Sequence, residues 1–351
     1  MLKISSRQQK IINIFLKKGE AGSGDLHQEL IKLEEIVSLV TVKRALSEMS
    51  KSGLLRLSGS GRSTVYSLSA LGRLFAAVDA SQYCAIEPDS RCGQNKYNFN
   101  LLAELPKDIF TDQELEALNK ATRFYQSRVK NLPVAIQKKE LERLIIELSW
   151  KSSKIEGNTY TLLDTERLIL ENKAATGKTK QETRMILNHK DAFQFIHEHK
   201  NQFKELNRKN LEQLHIILVK DLKVGLGLRH KPVGVIGSIY KPLDNIHQIT
   251  EAVEILAKIV FKIPTAYGKA LVALLGISYI QPFEDGNKRT GRLIANALLL
   301  AHGCAPLSYR SVKENEYREA NLVFYELNSL VPFKKIFIEQ YDFSAKNYLA
   351  K

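Results

Sequence analysis

Gln281-Pro-Phe-Glu-Asp-Gly-Asn-Lys-Arg-Thr-Gly-Arg292 is the densest chemistry in the chain, and it runs straight into an apolar stretch at 293–301. Asp285, a Gly286-Asn287 turn, Lys288, Arg289 and Arg292 crowd the entry to what the pattern predicts is a helix. Backbone N–H groups at a helix start are unpaired and carry the positive end of the helix dipole, so an anion is favoured there. Arg289 and Arg292 are three apart and share a helix face, which aims two guanidinium forks at the same oxygens. Asp285 is placed to hold a divalent cation that phosphates would bring.

Moving outward, 351 residues amount to two or three domains at ~100 to 200 residues each. An apolar content of 44% can fill real cores. Cys84, Cys92 and Cys304 are odd in number and scattered, which predicts neither a disulfide framework nor a zinc site. The longest apolar run, 270–276, is far short of the ~20 residues that span a bilayer, and the start lacks an apolar signal core. A cytoplasmic protein with no membrane partner is expected. The net charge of +14 favours anionic partners without choosing between nucleotide and nucleic acid.

Residues 1–78 read helix, helix, helix, hairpin. Residues 8–18 bury Ile11, Ile12, Phe15 and Leu16 on one face before Gly19, and a second helix is expected near 24–33. A third at 41–53 has Thr41 as its expected cap and a basic outer face. Residues 54–58 and 63–68 are strand-like around the Gly59-Ser60-Gly61-Arg62 tip. The order resembles a winged helix-turn-helix domain, and twelve basic against six acidic side chains leave residues 1–78 at +6. That resemblance implies duplex DNA as a partner, with Lys43, Arg44, Lys51 and Arg62 on phosphates. A dimerisation or docking module that no longer binds DNA is the competing reading, and a homodimer stays open.

Residues 79–113 read as a connector of low periodicity. From 114 to 347 the chain is expected to be mainly α, with helices at 112–130, 138–156, 163–172, 179–199, 207–218, 246–259, 267–280, 287–302, 314–330 and 334–347. The exception is 229–241, where Val233-Gly234-Val235-Ile236-Gly237 predicts a short hairpin. Upstream, Ser152 and Glu156 lie four apart on one helix face, with Gly157 ending the helix. Trp150 is assigned to the core, and the scattered histidines, His189 and His215 among them, to surface or packing positions.

The 281–292 string closely resembles the signature of the Fic family, His-x-Phe-x-Asp/Glu-Gly-Asn-Gly/Lys-Arg-x-x-Arg, through Phe283, Asp285, Gly286, Asn287, Lys288, Arg289 and Arg292. The resemblance implies a helical bundle that uses ATP, with Mg2+, to transfer AMP to a Ser, Thr or Tyr hydroxyl of a protein. It implies that 229–241 is a flap aligning the target by strand pairing. It also implies that Ser152-x-x-x-Glu156-Gly157 is an inhibitory element, Glu156 pairing with Arg292 for roughly 1.5 to 3 kcal/mol. Two departures stand out. Gln281 occupies the slot of the general base, and a carboxamide lacks the basicity that commonly contributes ~10²- to 10⁴-fold. Lys288 replaces the glycine of most AMP-transferring members and is characteristic of the Doc toxins, which transfer phosphate, so AMP and phosphate both stay open. The alternative is a DNA-binding regulator whose Fic-like domain senses nucleotide without chemistry.

Overall fold

The computed structural model describes residues 4–348, apart from the side chain of Arg62; Lys3 therefore lies outside the described residues. The fold is mostly helical, as expected. It forms two compact units, each built from separate stretches of chain. The first joins Met1–Pro106 to Val235–Lys241 and Glu319–Phe333, and the second holds Lys107–Gly234, Pro242–Arg318 and Lys334–Lys351.

In the first unit, α1 (Ser6–Lys18) opens on a capping box in which Ser5 and Gln8 satisfy each other's backbone N–H, and closes at Gly19 with φ +79°. After β1 (Glu20–Ala21) come α2 (Ser23–Lys32), α3 (Leu39–Lys51), β2 (Leu55–Ser58) and β3 (Val65–Leu68). The sheet order is β1-β3-β2, antiparallel throughout, with Leu55 opposite Leu68 and Ser58 opposite Val65. Ile11, Phe15, Leu26, Leu30, Val42, Leu46 and Met49 form one core under the three helices. Helix α3 starts earlier than expected: Ser38 is its cap, accepting from the Thr41 N–H, so Thr41 lies inside the first turn.

After α4 (Ala70–Leu74), the 79–113 stretch expected to be a connector contains α5 (Ala80–Cys84) and α6 (Phe99–Ala103). Each is too short to show a period, yet each is capped locally, by Ser69, Asp79 and Asn98. Tyr83 joins the same core as α1 to α3, together with Val323 and Leu327.

The second unit contains α7 (Asp112–Asn131), α8 (Val134–Ile155), α9 (Leu162–Glu171), α10 (Lys180–Glu198), α11 (Arg208–Leu218), α12 (Ile246–Lys262), α13 (Ala266–Ile280) and α14 (Asn287–Ala301). The chain continues through α15 (Glu314–Leu327) and α16 (Val331–Asn347). Every residue of α13 from Tyr267 to Ile280 is buried, which is what a helix apolar on all sides requires. Glycine lets its neighbours approach. A Cβ on Gly276 would meet Leu256 Cδ1 at 2.4 Å, and one on Gly291 would meet the Leu274 carbonyl at 3.0 Å. The α13–α14 pair is therefore tightly apposed, and the loop between them inherits that rigidity.

The expected hairpin at 229–241 is absent as a ladder. Residues 231–240 form no strand; instead Ser238 N–H donates to the Val235 carbonyl at 3.2 Å, closing a turn over Ile236 and Gly237, whose φ is +76°. Glycine at positions 234 and 237 and Pro232 interrupt the β-branched residues too often for two paired runs. Lys241 instead makes a parallel bridge with Lys96 inside the first unit.

Candidate functional site

The loop joining α13 to α14 is built around Asn287. Its Oδ1 accepts from the Phe283 N–H at 2.8 Å, while Nδ2 donates to the Phe283 carbonyl at 2.8 Å and to Gln281 Oε1 at 2.9 Å. Gly286, at φ +80°, turns the chain into α14. Gln281 ends α13 in the left-handed region at φ 51°. Its Nε2 donates to the Ser278 carbonyl at 2.6 Å, and its own carbonyl accepts from Arg229 Nε at 2.6 Å. The carboxamide is 7% exposed and engaged at both ends. A carboxamide has no basic atom to act as proton acceptor.

Arg289 and Arg292 are almost wholly buried at the start of α14. Arg289 pairs with Asp285 at 3.0 Å, a carboxylate whose side chain is 61% exposed. Burial pushes the Arg289 pKa below its ordinary value, and neighbouring Arg292 adds to this against the pull of Asp285 and Glu156. Arg292 donates from Nε to Ser152 Oγ at 2.9 Å and from Nη2 to the Ser152 carbonyl at 2.8 Å, with its guanidinium over the Tyr317 ring. Nη1 of each arginine is buried and without a hydrogen-bond acceptor. Two such cations side by side leave donors for an anion.

Helix α8 brings in the opposing charge. Glu156 caps its C-terminus, and Gly157 at φ +95° lets the chain leave. Arg318 secures that end by donating to the Ile155 carbonyl. Glu156 Oε1 lies 2.9 Å from Arg292 Nη2, and Oε2 lies 3.6 Å from Lys288 Nζ. The Arg292 contact is a close ion pair, since the Nη2 proton is directed at Ser152. Burial raises the Glu156 pKa, but Arg292 and then Lys288 more than offset this and hold it below the usual carboxylate value.

Two histidines assigned from sequence to packing sit against this loop. The His215 ring stacks on Phe283 at 3.7 Å between centroids, and its Nε2 donates to the Asp285 carbonyl at 2.9 Å. Burial lowers its pKa to about 4, so the ring is neutral. His189 is fully buried on α10 and its pKa is likewise pushed far down, by burial and then by Arg292 and Arg289. Periodicity held a usable sign: His215 follows Leu211 by four residues and Leu214 by one, on the buried side of α11. Glu284 faces the other way, accepting from the Gly225 N–H at 3.2 Å and lying 3.5 Å from Lys231. Trp150 is half-buried rather than core, donating to the Tyr160 carbonyl with Lys151 and Lys154 near its ring.

Among the described residues no group of three or more His, Cys, Asp or Glu is placed to hold a metal ion. Asp285 fits a lesser role: Oδ2 meets Arg289, and the exposed carboxylate still offers an oxygen to a cation that arrives with phosphates. In the other unit Lys43, Arg44 and Lys51 are exposed on α3, Arg44 lying 3.1 Å from Glu48, while the side chain of Arg62 lies outside the described residues. Exposed Ile36, Leu39 and Val40 flank them. Val233 and Val235 are half-buried and Ile236 fully exposed. No helix among the described residues is long and apolar enough to cross a membrane.

Comparison with known proteins agrees with this geometry. Residues 205–299 match the Fic/DOC family. A protein adenylyltransferase Fic of Nematostella vectensis is 26% identical over 237 residues, covering 61% of this chain and 51% of its own length. One of Culex quinquefasciatus is 30% identical over 199 residues, covering 54% and 39%. The chain thus spans about half, or less, of these relatives' lengths. Among solved structures, Fic-1 (residues 134–508) of Caenorhabditis elegans superposes with a TM-score of 0.54 at 18% identity, covering 68% of this chain and 71% of that one. A Fic domain-containing signalling protein of Bacteroides thetaiotaomicron gives 0.54 at 19%, covering 66% and 94%. Residues 205–299, which hold α13, the Asn287 loop and most of α14, are thus similar to a Fic domain.

Proposed function

We propose that the second unit binds ATP and is built to transfer AMP to a hydroxyl of a protein, with Glu156 holding the site off and Gln281 slowing the chemical step. The observation that carries this reading is the pair of buried guanidinium groups, Arg289 and Arg292, each with Nη1 unpaired at a helix N-terminus. Phosphate oxygens satisfy both at once. In the transfer, the target's oxygen forms a bond to the α-phosphorus, the bond to the pyrophosphate oxygen breaks, and the hydroxyl proton must leave. Gln281 cannot take it, because a carboxamide is not basic and its Nε2 is a donor. Mg2+, when bound, would neutralise phosphate charge, with Asp285 as its protein ligand. Lys288 adds a third cation near the phosphates and keeps phosphate transfer as a second outcome.

Calorimetry with ATP and Mg2+ tests the binding half of this reading. Arg289→Gln should lose roughly tenfold or more in affinity, the share of one charge-assisted hydrogen bond. Unchanged affinity would remove the nucleotide assignment.

The committed carboxamide of Gln281 also supports the second reading, a DNA-binding regulator that senses nucleotide without transfer. In it residues 1–78 are a winged helix-turn-helix domain, α3 its recognition helix and the 59–62 tip its wing, with Lys43, Arg44, Lys51 and Arg62 on phosphates. Salt-dependent binding to a duplex decides that half.

A further inference from the structure

Glu326 is a fully buried carboxylate far from the motif in sequence, and its partners Tyr83, Ser238 and Arg91 lie in the first unit. Tyr83 donates its hydroxyl to Oε2 at 2.6 Å, Ser238 donates to Oε1 at 2.7 Å, and Arg91 Nη1 lies 3.3 Å from Oε1. Arg91 is itself 5% exposed at the side chain and extends the cluster: Nη1 donates to the Gly237 carbonyl at 2.9 Å, Nη2 to the Cys84 carbonyl and Nε to the Ile86 carbonyl. Burial, then the bond to Glu326, raises the Tyr83 pKa far above its ordinary value. Only glycine fits at position 93, since a Cβ there would meet the Tyr83 hydroxyl at 2.5 Å and Glu326 Cβ at 2.6 Å.

What this cluster holds is the turn at Val235–Ser238. Ile236 at its apex is 99% exposed and the turn belongs to no sheet; apolar burial enters only beyond the turn, where Tyr240 stacks on Tyr325 with ring centroids 5.8 Å apart. Its position rests on polar bonds: Arg91 to Gly237, Ser238 to Glu326, the Tyr240 N–H to Ser238 Oγ at 3.1 Å, and the Lys241 N–H to the Asn95 carbonyl at 3.0 Å. We infer that Arg91 and Glu326 are positioning residues for target docking, because they set the place of residues 235–241, and this rests on reading 229–241 as the flap. Strand pairing needs its template backbone held in one register before the partner arrives. A turn with an exposed apex and no ladder would otherwise offer many registers.

The test uses the full chain and two substitutions, Glu326→Gln and the milder Ser238→Ala, which deletes the bonds to Glu326 and from the Tyr240 N–H and leaves no buried charge unpaired. Hydrogen exchange of amides 235–241 is expected to quicken about fivefold to tenfold or more in both, as loss of local bonds implies, while α13 and α14 stay unchanged. Exchange that does not change at 235–241 overturns the assignment. In the Gln281→His, Glu156→Gly background, with a fixed synthetic pool of peptides bearing Ser, Thr and Tyr, Ser238→Ala should raise KM for peptide roughly fivefold with kcat and the KM for ATP unmoved. A fall in kcat at constant peptide KM also overturns it. A background that labels no peptide defeats the transferase reading instead, and the exchange result still decides whether the clamp holds the turn.

Discussion

Replacing Glu156 by glutamine keeps its volume and removes its charge, and the structure gives the two consequences opposite signs. Arg292 is fully buried and would lose its carboxylate at 2.9 Å, while keeping both bonds to Ser152. Breaking a buried pair by removing one partner costs about 3 to 5 kcal/mol. Here the Glu156 side chain is 20% exposed and Ser152 still serves the guanidinium, which brings the expected loss nearer to about 2 kcal/mol. At roughly 2 to 4 °C per kcal/mol for units of this size, the melting temperature should fall by about 4 to 8 °C. Affinity for ATP should move the other way. The freed guanidinium can make one charge-assisted bond to phosphate, roughly 1.5 to 3 kcal/mol, or about tenfold to 150-fold tighter binding. Scanning calorimetry and titration calorimetry on the same preparation read both. A destabilised variant whose ATP affinity is unchanged would make Glu156 a structural cap and nothing more, and a variant of unchanged stability would deny that the pair contributes at all.

Asn287→Ala leaves the Phe283 N–H and Gln281 Oε1 without partners in a buried loop, and should cost about 3 kcal/mol in chemical denaturation; a loss below about 1 kcal/mol would show that the loop does not depend on it. His215 predicts a pH dependence. Its folded pKa of about 4 lies below the ordinary 6.5, so below pH 6.5 the unfolded chain takes up a proton that the folded chain refuses. The stability it contributes is therefore complete above pH 6.5 and declines as pH falls toward 4, by about 3 kcal/mol in all. His215→Gln should flatten that decline relative to the native chain, and parallel curves would contradict the burial argument. If the first unit binds duplex DNA, Lys43→Ala and Arg44→Ala should each weaken binding across sequences and reduce the salt slope by about one. Binding that ignores both residues would favour a docking module.

How far the sequence could be read depended on whether a residue's role was local. Helices α1, α3, α8 and α14 were legible because caps, terminal glycines and apolar spacing all lie within a few residues of one another. The expectation of an anion site at 281–292 rested on equally local signals. What stayed hidden came from long-range contact. Ser152 serves Arg292 through both its hydroxyl and its carbonyl, a double role that only the approach of α8 to α14 creates. His215 carries no motif and reaches Asp285 by packing. The 229–241 segment misled because β-branched residues between glycines look like strands, whereas a strand also needs a partner, and these residues are held by side chains from 83–94 and from Glu326. That Gln281 stands in the slot of the general base was readable from the family resemblance; that its carboxamide is bound at both ends was not.

The most direct test is incubation of the native chain and of the Gln281→His, Glu156→Gly variant with ATP labelled at the α- or the γ-phosphorus, followed by counting label on protein. Restoring a base and removing the opposing carboxylate should produce α-label on the chain itself or on lysate proteins at a rate at least ~100-fold above the native chain, since general base catalysis alone commonly supplies ~10²- to 10⁴-fold. A variant that binds ATP and labels nothing, or a native chain that labels as fast as the variant, would contradict it.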